Sequence, residues 1–202
     1  MHIEILVGER SARAALELLV PRIIGSQHTF IVHAFQGKPD LLAKLPKRLR
    51  GYRGWMRDEL RVMVLMDEDR QDCIDLKTRL EADAAQAGLH TRRTAAGSAV
   101  QVVNRIAVEE LESWFFGDVE AIVAAFPRIS PSLASRRPYR DPDAIRGGTW
   151  EALERVLQQA GYYGGGLTKI DAAGRVARHM DPDRNRSRSF RVFRDALRAL
   201  VS

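Results

Sequence analysis

Four short apolar runs punctuate the chain, and each is followed by a stretch with helical spacing. His2–Val7 (HIEILV), Thr29–Phe35 (TFIVHAF), Arg61–Met66 (RVMVLM) and Ala99–Ala107 (AVQVVNRIA) have the length and β-branched content of strands. The third is apolar without alternation from Val62 to Met66, as in a parallel strand covered on both faces. Between the runs, ARAALELLV predicts a helix capped by Ser11 and ended or kinked by Pro21. DLLAKLPKRL predicts another, interrupted by Pro46. CIDLKTRLEADAAQAG places Ile74, Leu76, Leu80 and Ala84 at helical spacing and stops at Gly88. VEELESWFFGDVEAIVAAF reads as one or two helices, TWEALERVLQQAG as a helix with Thr149 as cap, and SFRVFRDALRAL as a final amphipathic helix. YYGGGLTK between the last two reads as a Gly-rich turn.

Strand-helix alternation predicts an α/β fold with a mainly parallel central sheet flanked by helices. Residues 1–126 form its core. Residues 127–202 open with a segment holding four prolines, PRISPSLASRRPYRDPDAIRGG, expected as a loop or partly mobile arm. The later helices of 127–202 are expected to pack on the core as one domain overall, because this part is too Pro- and Arg-rich for a core of its own.

The run RVMVLM drives straight into DEDRQD, so a buried strand ends in Asp67, Glu68 and Asp69, with Asp72 close behind. Like charges this close are tolerable in a solvated loop or where a cation binds. In parallel α/β sheets, ligands sit beyond the carboxyl ends of the strands. Glu9 follows the first strand, and Asp67 and Asp69 end the third. If those strands are neighbours, three carboxylates share one crevice. Mg²⁺ and Mn²⁺ prefer such oxygen ligands with positions left open for water and phosphate. The bland alternative is that Asp69 or Asp72 caps the following helix, and for Asp72 alone it is preferred.

Other readings of the acidic run fare worse. A helix-loop-helix calcium site needs Gly at the sixth and Glu at the twelfth position, and counting from Asp67 the chain has Asp72 and Thr78 there. A nucleotide-sugar glycosyltransferase also ends a strand in Asp-x-Asp, but the chain is short for such a fold. A haloacid-dehalogenase-like phosphatase carries its Asp pair on the first strand with a hydroxyl residue soon after, whereas here Arg70 follows a third strand.

Composition is that of an ordinary globular chain, with 45% hydrophobic and 29% charged residues. The single Cys73 excludes an internal disulfide and leads us to expect a reducing cytoplasmic location. No stretch suits a bilayer span, so no membrane association is expected. The N-terminus lacks the pattern of a signal peptide. The net charge of +6 is concentrated: Arg175–Ser202 holds eight arginines against three aspartates, and KLPKRLRGYRGWMR (Lys44–Arg57) forms a second basic stretch. Basic stretches beside an acidic crevice suggest a nucleic-acid partner, DNA ahead of RNA. Solvated helix faces are the alternative.

LVGERS after the first strand and VLMDED at the end of the third resemble the toprim arrangement, in which a Glu and an Asp-x-Asp motif share a site. IEILVGERS, FQGKPDLLAKLPKRLRGY, VVNRIAVEELESWFFGD and HMDPDRNRSRSFRVFRDAL together resemble an uncharacterised toprim-like family often encoded beside ABC-type ATPases. The resemblance implies that Glu9 is a general base or metal ligand and that Asp67 and Asp69 hold Mg²⁺ or Mn²⁺, with Asp72 as a third acidic position. It implies a nuclease or related phosphodiesterase, since no tyrosine reads as a topoisomerase nucleophile. An ATPase-linked defence or DNA-processing setting follows from the same likeness. So does a non-catalytic alternative, an interaction or regulatory subunit of an ABC-type ATPase.

Further positions complete the expected site. Glu109 and Glu112, three apart, would share a helix face and could hold a second metal, Glu110 less so; first-turn acids favoured by the helix dipole are the competing reading. Lys38 on the rim after the second strand, and Lys169 after the Gly-rich turn, are candidate phosphate contacts. So are Asn185, Arg186 and Arg188 in NRSRS, unless Ser189 merely caps the last helix. His33 is expected to pack within its strand and His179 to lie on the surface. Trp55, Trp114 and Trp150 are expected in core or rim rather than as base-stacking platforms.

Overall fold

The computed structural model describes all residues of the chain except Arg70 and Leu167. Four strands, β1 (His2–Val7), β2 (Thr29–Ala34), β3 (Leu60–Asp67) and β4 (Val102–Ala107), form one all-parallel sheet in the order β2-β1-β3-β4. Eight α-helices among the described residues surround it: α1 (Arg10–Ile24), α2 (Lys38–Trp55), α3 (Cys73–Gln86), α4 (Glu112–Gly117), α5 (Val119–Ala125), α6 (Thr149–Gln159), α7 (Lys169–His179) and α8 (Arg188–Val201). None is long and apolar enough to cross a membrane.

The pleat sorts β3 between two cores. Met63 and Leu65 face the larger one, with Ile3, Ile5 and Val7 of β1, and it is closed by α1 and α4–α8. Val62, Val64 and Met66 face the smaller one, with Leu6, and α2 and α3 cover it. This is the two-sided burial that the unbroken apolar run implied.

Neither proline terminates its helix: Pro21 lies inside α1 and Pro46 inside α2. Each removes one backbone hydrogen bond, but the flanking Val20, Ile23 and Ile24, and Leu45 and Leu49, are buried and hold the helix on the sheet. Caps are reassigned. Glu9, not Ser11, occupies the N-cap of α1, and Ser11 Oγ donates to the Glu9 carboxylate at 3.2 Å. Ser187, not Ser189, caps α8, accepting from the Phe190 N–H at 3.1 Å. The segment after Phe126 is not a bare arm: three short 3-10 turns, Pro131–Ser135, Arg137–Tyr139 and Pro142–Ala144, follow one another across the surface. Ile129, Leu133 and Ile145 around them are buried. Helix α7 lies on α1 and α5, so residues before and after Phe126 share the larger core.

Candidate metal centre

The chain leaves β1 towards β2 on one side of the sheet and returns to place β3 on the other. The gap beyond the carboxyl ends of β1 and β3 is therefore the switch point of the sheet, the usual ligand crevice of such folds. Glu9 begins α1 at one wall, and Asp67, the last residue of β3, stands at the other. Gly8 makes the approach tight: its carbonyl accepts from Gly37 N–H at 2.8 Å, and a Cβ there would lie 3.4 Å from the Lys38 nitrogen. The turns after β1 and β2 are thereby pressed together.

The acidic loop after β3 is braced from both sides. Glu68 N–H donates to Ala107 O at 2.9 Å and Asp69 N–H to Glu109 O at 2.8 Å. Glu109 N–H in turn donates to the Glu68 carboxylate at 3.1 Å. Asp69 (φ 54°) and Glu109 (φ 58°) both adopt left-handed backbone, which side chains other than glycine hold at a cost. Two such residues, hydrogen-bonded to each other across adjacent turns, are the strained backbone of the crevice. Lys38 Nζ completes the brace, donating to the carbonyls of Asp67 (2.8 Å) and Glu68 (2.7 Å) and to Asp69 Oδ2 (3.2 Å). With its three donors so used, Lys38 is a strut of the acidic loop rather than a free phosphate contact.

The carboxyls crowd one another. Loss of solvent, then the charges of Glu112, Glu9, Asp69 and Glu110, hold the Asp67 carboxyl well above the usual range. Glu112 is 3% exposed, and burial is the largest cause that pushes its carboxyl up to about 7. Lys169 opposes that rise, while Glu110 and Glu9 add to it. Lys169 itself titrates above its ordinary value: burial works against its charge, but Glu112, Glu9, Glu110 and Asp67 outweigh burial. Its ammonium lies 3.9 Å from both Glu9 Oε2 and Glu110 Oε1, and 4.6 Å from the centre of the Trp150 ring. The chain thus brings its own cation to the acids.

The structure brings together Glu9, Asp67, Asp69, Glu112 and Lys169. It separates other expected members. Asp72 is the N-cap of α3, accepting from Ile74 N–H (2.7 Å) and Asp75 N–H (3.1 Å), as its bland reading held. Glu109 and Glu112 do not share a helix face, because α4 starts only at Glu112. Glu110, given less weight in the sequence, reaches into the crevice and anchors α6 by accepting from Thr149 Oγ1 (3.1 Å) and Trp150 N–H (2.8 Å). No periodicity marks it, since a left-handed turn at Glu109 sets its direction. Asn185 is buried, donates to Trp114 O at 2.7 Å and accepts from Ser187 N–H at 2.9 Å, so its amide serves the fold. Arg186 and Arg188 are exposed but line different clefts, the first with Glu120 and the second with Ile74 and Arg105, and form no common phosphate cradle.

The donor set is all oxygen, which suits Mg²⁺ or Mn²⁺. Among the described residues, no three His, Cys, Asp or Glu side chains are gathered closely enough to hold an ion as they stand. Occupancy would require Lys169 to yield and the carboxylates to close in. The fold and this acidic crevice define an α/β protein with a carboxylate site at the switch point of a parallel sheet. The chain belongs to the family described as Domain of unknown function (DUF4276), whose model matches residues 7–198. No curated protein and no solved structure matches the chain.

Proposed function

We propose that the chain is a Mg²⁺- or Mn²⁺-dependent phosphodiester hydrolase of toprim type, acting on nucleic acid in the cytoplasm. The observation that supports this most is the crowding of Asp67 and Glu112, whose proton affinities are raised by burial and by their acidic neighbours. Carboxyls that repel one another in the bare protein are what a divalent cation relieves. Asp67 and Asp69 would hold the ion, with Glu112 behind them. A bound ion of this kind polarises a phosphodiester and lowers the pKa of an attacking water. Glu9, with its side chain 43% exposed at the crevice mouth, is the residue to accept a proton from the nucleophile. Lys169, displaced from the carboxylates, would meet the charge of the scissile phosphate. Lys38 keeps the acidic loop fixed while this happens.

The test is incubation with supercoiled plasmid, single-stranded DNA and RNA, in Mg²⁺, Mn²⁺ or EDTA, beside Asp67→Ala. Cleavage that needs metal and vanishes in the variant is expected. Cleavage persisting in Asp67→Ala with unchanged metal requirement would sink the assignment. The position of Lys169 among the acids favours one second reading, a metal- or nucleotide-sensing partner of an ABC-type ATPase that does not cut on its own. It is supported if no substrate is cleaved while Mn²⁺ still raises the melting temperature of wild type and not of Asp67→Ala.

A further inference from the structure

A second polar constellation lies away from the acidic crevice, in a cleft of about 540 Å³ between α2 and the exposed face of β2. Its floor is Glu4, in mid-strand and 5% exposed. Glu4 Oε2 accepts from Tyr52 OH (2.8 Å) and pairs with His33 Nε2 (2.5 Å), while Oε1 pairs with His2 Nε2 (3.1 Å). Burial alone would raise the Glu4 carboxyl, yet the bonds from Tyr52, His33 and His2 prevail and hold it below its usual value. Arg48 closes the ring: Nε donates to Tyr52 OH at 3.1 Å and Nη2 lies 3.2 Å from His33 Nδ1. His33 therefore does not merely pack in its strand. It links a buried carboxylate to an exposed guanidinium.

A network in which every member is bonded is rigid, and this one fixes Arg48 from below while leaving its outer edge in the cleft. Among the described residues Arg48 has no carboxylate at ion-pair distance, and Lys47 beside it is likewise exposed. Trp55, 52% exposed, stands at the far end of the same helix face, its ring tilted against Tyr52 at 5.3 Å. Between them lies Gly51. Glycine in a helix interior is unfavourable relative to alanine, and nothing within 4 Å would obstruct a Cβ there. What the missing side chain does provide is open space in the cleft between Arg48 and Trp55.

We infer that this cleft is a subsite for single-stranded nucleic acid, with backbone phosphates on Arg48 and Lys47 and a base stacked on Trp55. It rests on the nucleic-acid reading proposed above and names the form of the polymer. A fixed guanidinium suits a phosphate. An exposed indole two turns along suits a base of any identity, and stacking within a duplex conceals that face. Helix α2 joins the two sites, since Lys38 at its start braces the acidic loop and Arg48 lies about 15 Å further along its axis. A strand leaving the crevice along α2 would cross the cleft.

The test is fluorescence anisotropy of labelled oligothymidylate and oligouridylate in EDTA at low salt, so that no turnover intervenes. Trp55→Ala and Gly51→Gln are each expected to weaken binding by about fivefold or more. Gly51→Gln is expected to melt no lower than wild type, which separates a blocked cleft from a damaged fold. Lys47→Ala should reduce the salt slope by about 0.7. Wild-type affinity in both Trp55→Ala and Gly51→Gln, or failure of wild type to bind either oligonucleotide, overturns the subsite. So does equal competition by blunt duplex. Failure of metal-dependent cleavage with Trp55-dependent binding retained would overturn the hydrolase alone. Cleavage with binding indifferent to Trp55 and Gly51 would overturn the subsite alone.

Discussion

Glu112 and Lys169 set the electrostatics of the crevice, and each makes a measurable prediction. The Glu112 carboxyl binds its proton more tightly folded than unfolded, about 7 against 4.5. The folded state therefore holds the extra proton between those values, and stability falls as pH rises from about 4.5 to about 7. Asp67, raised by the same surroundings, adds to the fall from lower pH. Lys169 is protonated throughout this window in both states and contributes no slope there. The loss attributable to Glu112 is on the order of 3 kcal/mol. Denaturant melts across this range should show it, and Glu112→Gln should flatten the curve and be the more stable protein at pH 8. Lys169→Met should behave oppositely, melting lower at pH 8 in EDTA and gaining more from Mn²⁺ than wild type does, because the ion takes over the charge the lysine supplied. An equal Mn²⁺ gain in both proteins would show that ammonium and metal do not compete.

At the scale of elements, two loops do the positioning, and both are held by short-range geometry that sequence spacing conceals. The alternation of strands and helices, the parallel sheet and the acidic ends of β1 and β3 could all be read in advance, because apolar periodicity and run length record burial directly. The order β2-β1-β3-β4 made the conditional crevice real by placing β1 beside β3. What could not be read were contacts between distant turns. Glu110 anchors α6, and Lys38 is consumed by carbonyls of the β3 loop. Asp143 clamps the start of α8 through Ser187 Oγ (2.7 Å) and Ser189 Oγ (2.9 Å), so the serines of the NRSRS motif serve the fold while the Arg186 and Arg188 side chains stay exposed. Gly117 shows the tolerance of this region. A Cβ there would sit 2.1 Å from Asn185 Oδ1 and 2.9 Å from the Ser187 nitrogen. Gly117→Ala is expected to cost about 1–3 kcal/mol through this overlap, read as a lowered denaturation midpoint with an unchanged denaturant slope.

At the scale of the whole molecule, charge and metal are the levers. Basic residues concentrate on α2 and in the last stretch of the chain, while the crevice is acidic. A polyanion is thus drawn to the protein by one set of charges and repelled by the other until a divalent cation occupies the crevice. Nucleic-acid affinity should therefore rise with Mn²⁺ in wild type and not in Asp67→Ala, and should weaken steeply with salt in both. The same ion should stabilise the protein, by about 2.7 kcal/mol at a hundredfold excess over its dissociation constant, seen as a melting shift that Asp67→Ala lacks. A shift of equal size in Asp67→Ala would move the metal to another place.

The lysine that balances the acids is delivered by α7, which packs on α1 and enters the chain after every carboxylate of the crevice has been made. A chain still emerging from the ribosome therefore carries Glu9, Asp67 and Glu112 before it carries Lys169, and it also lacks the cover that α7 lays over α1. Charge balance arrives when α7 docks on α1, and α8, made later still, completes the larger core. The order of synthesis leaves the acids of the crevice unbalanced until α7 is in place.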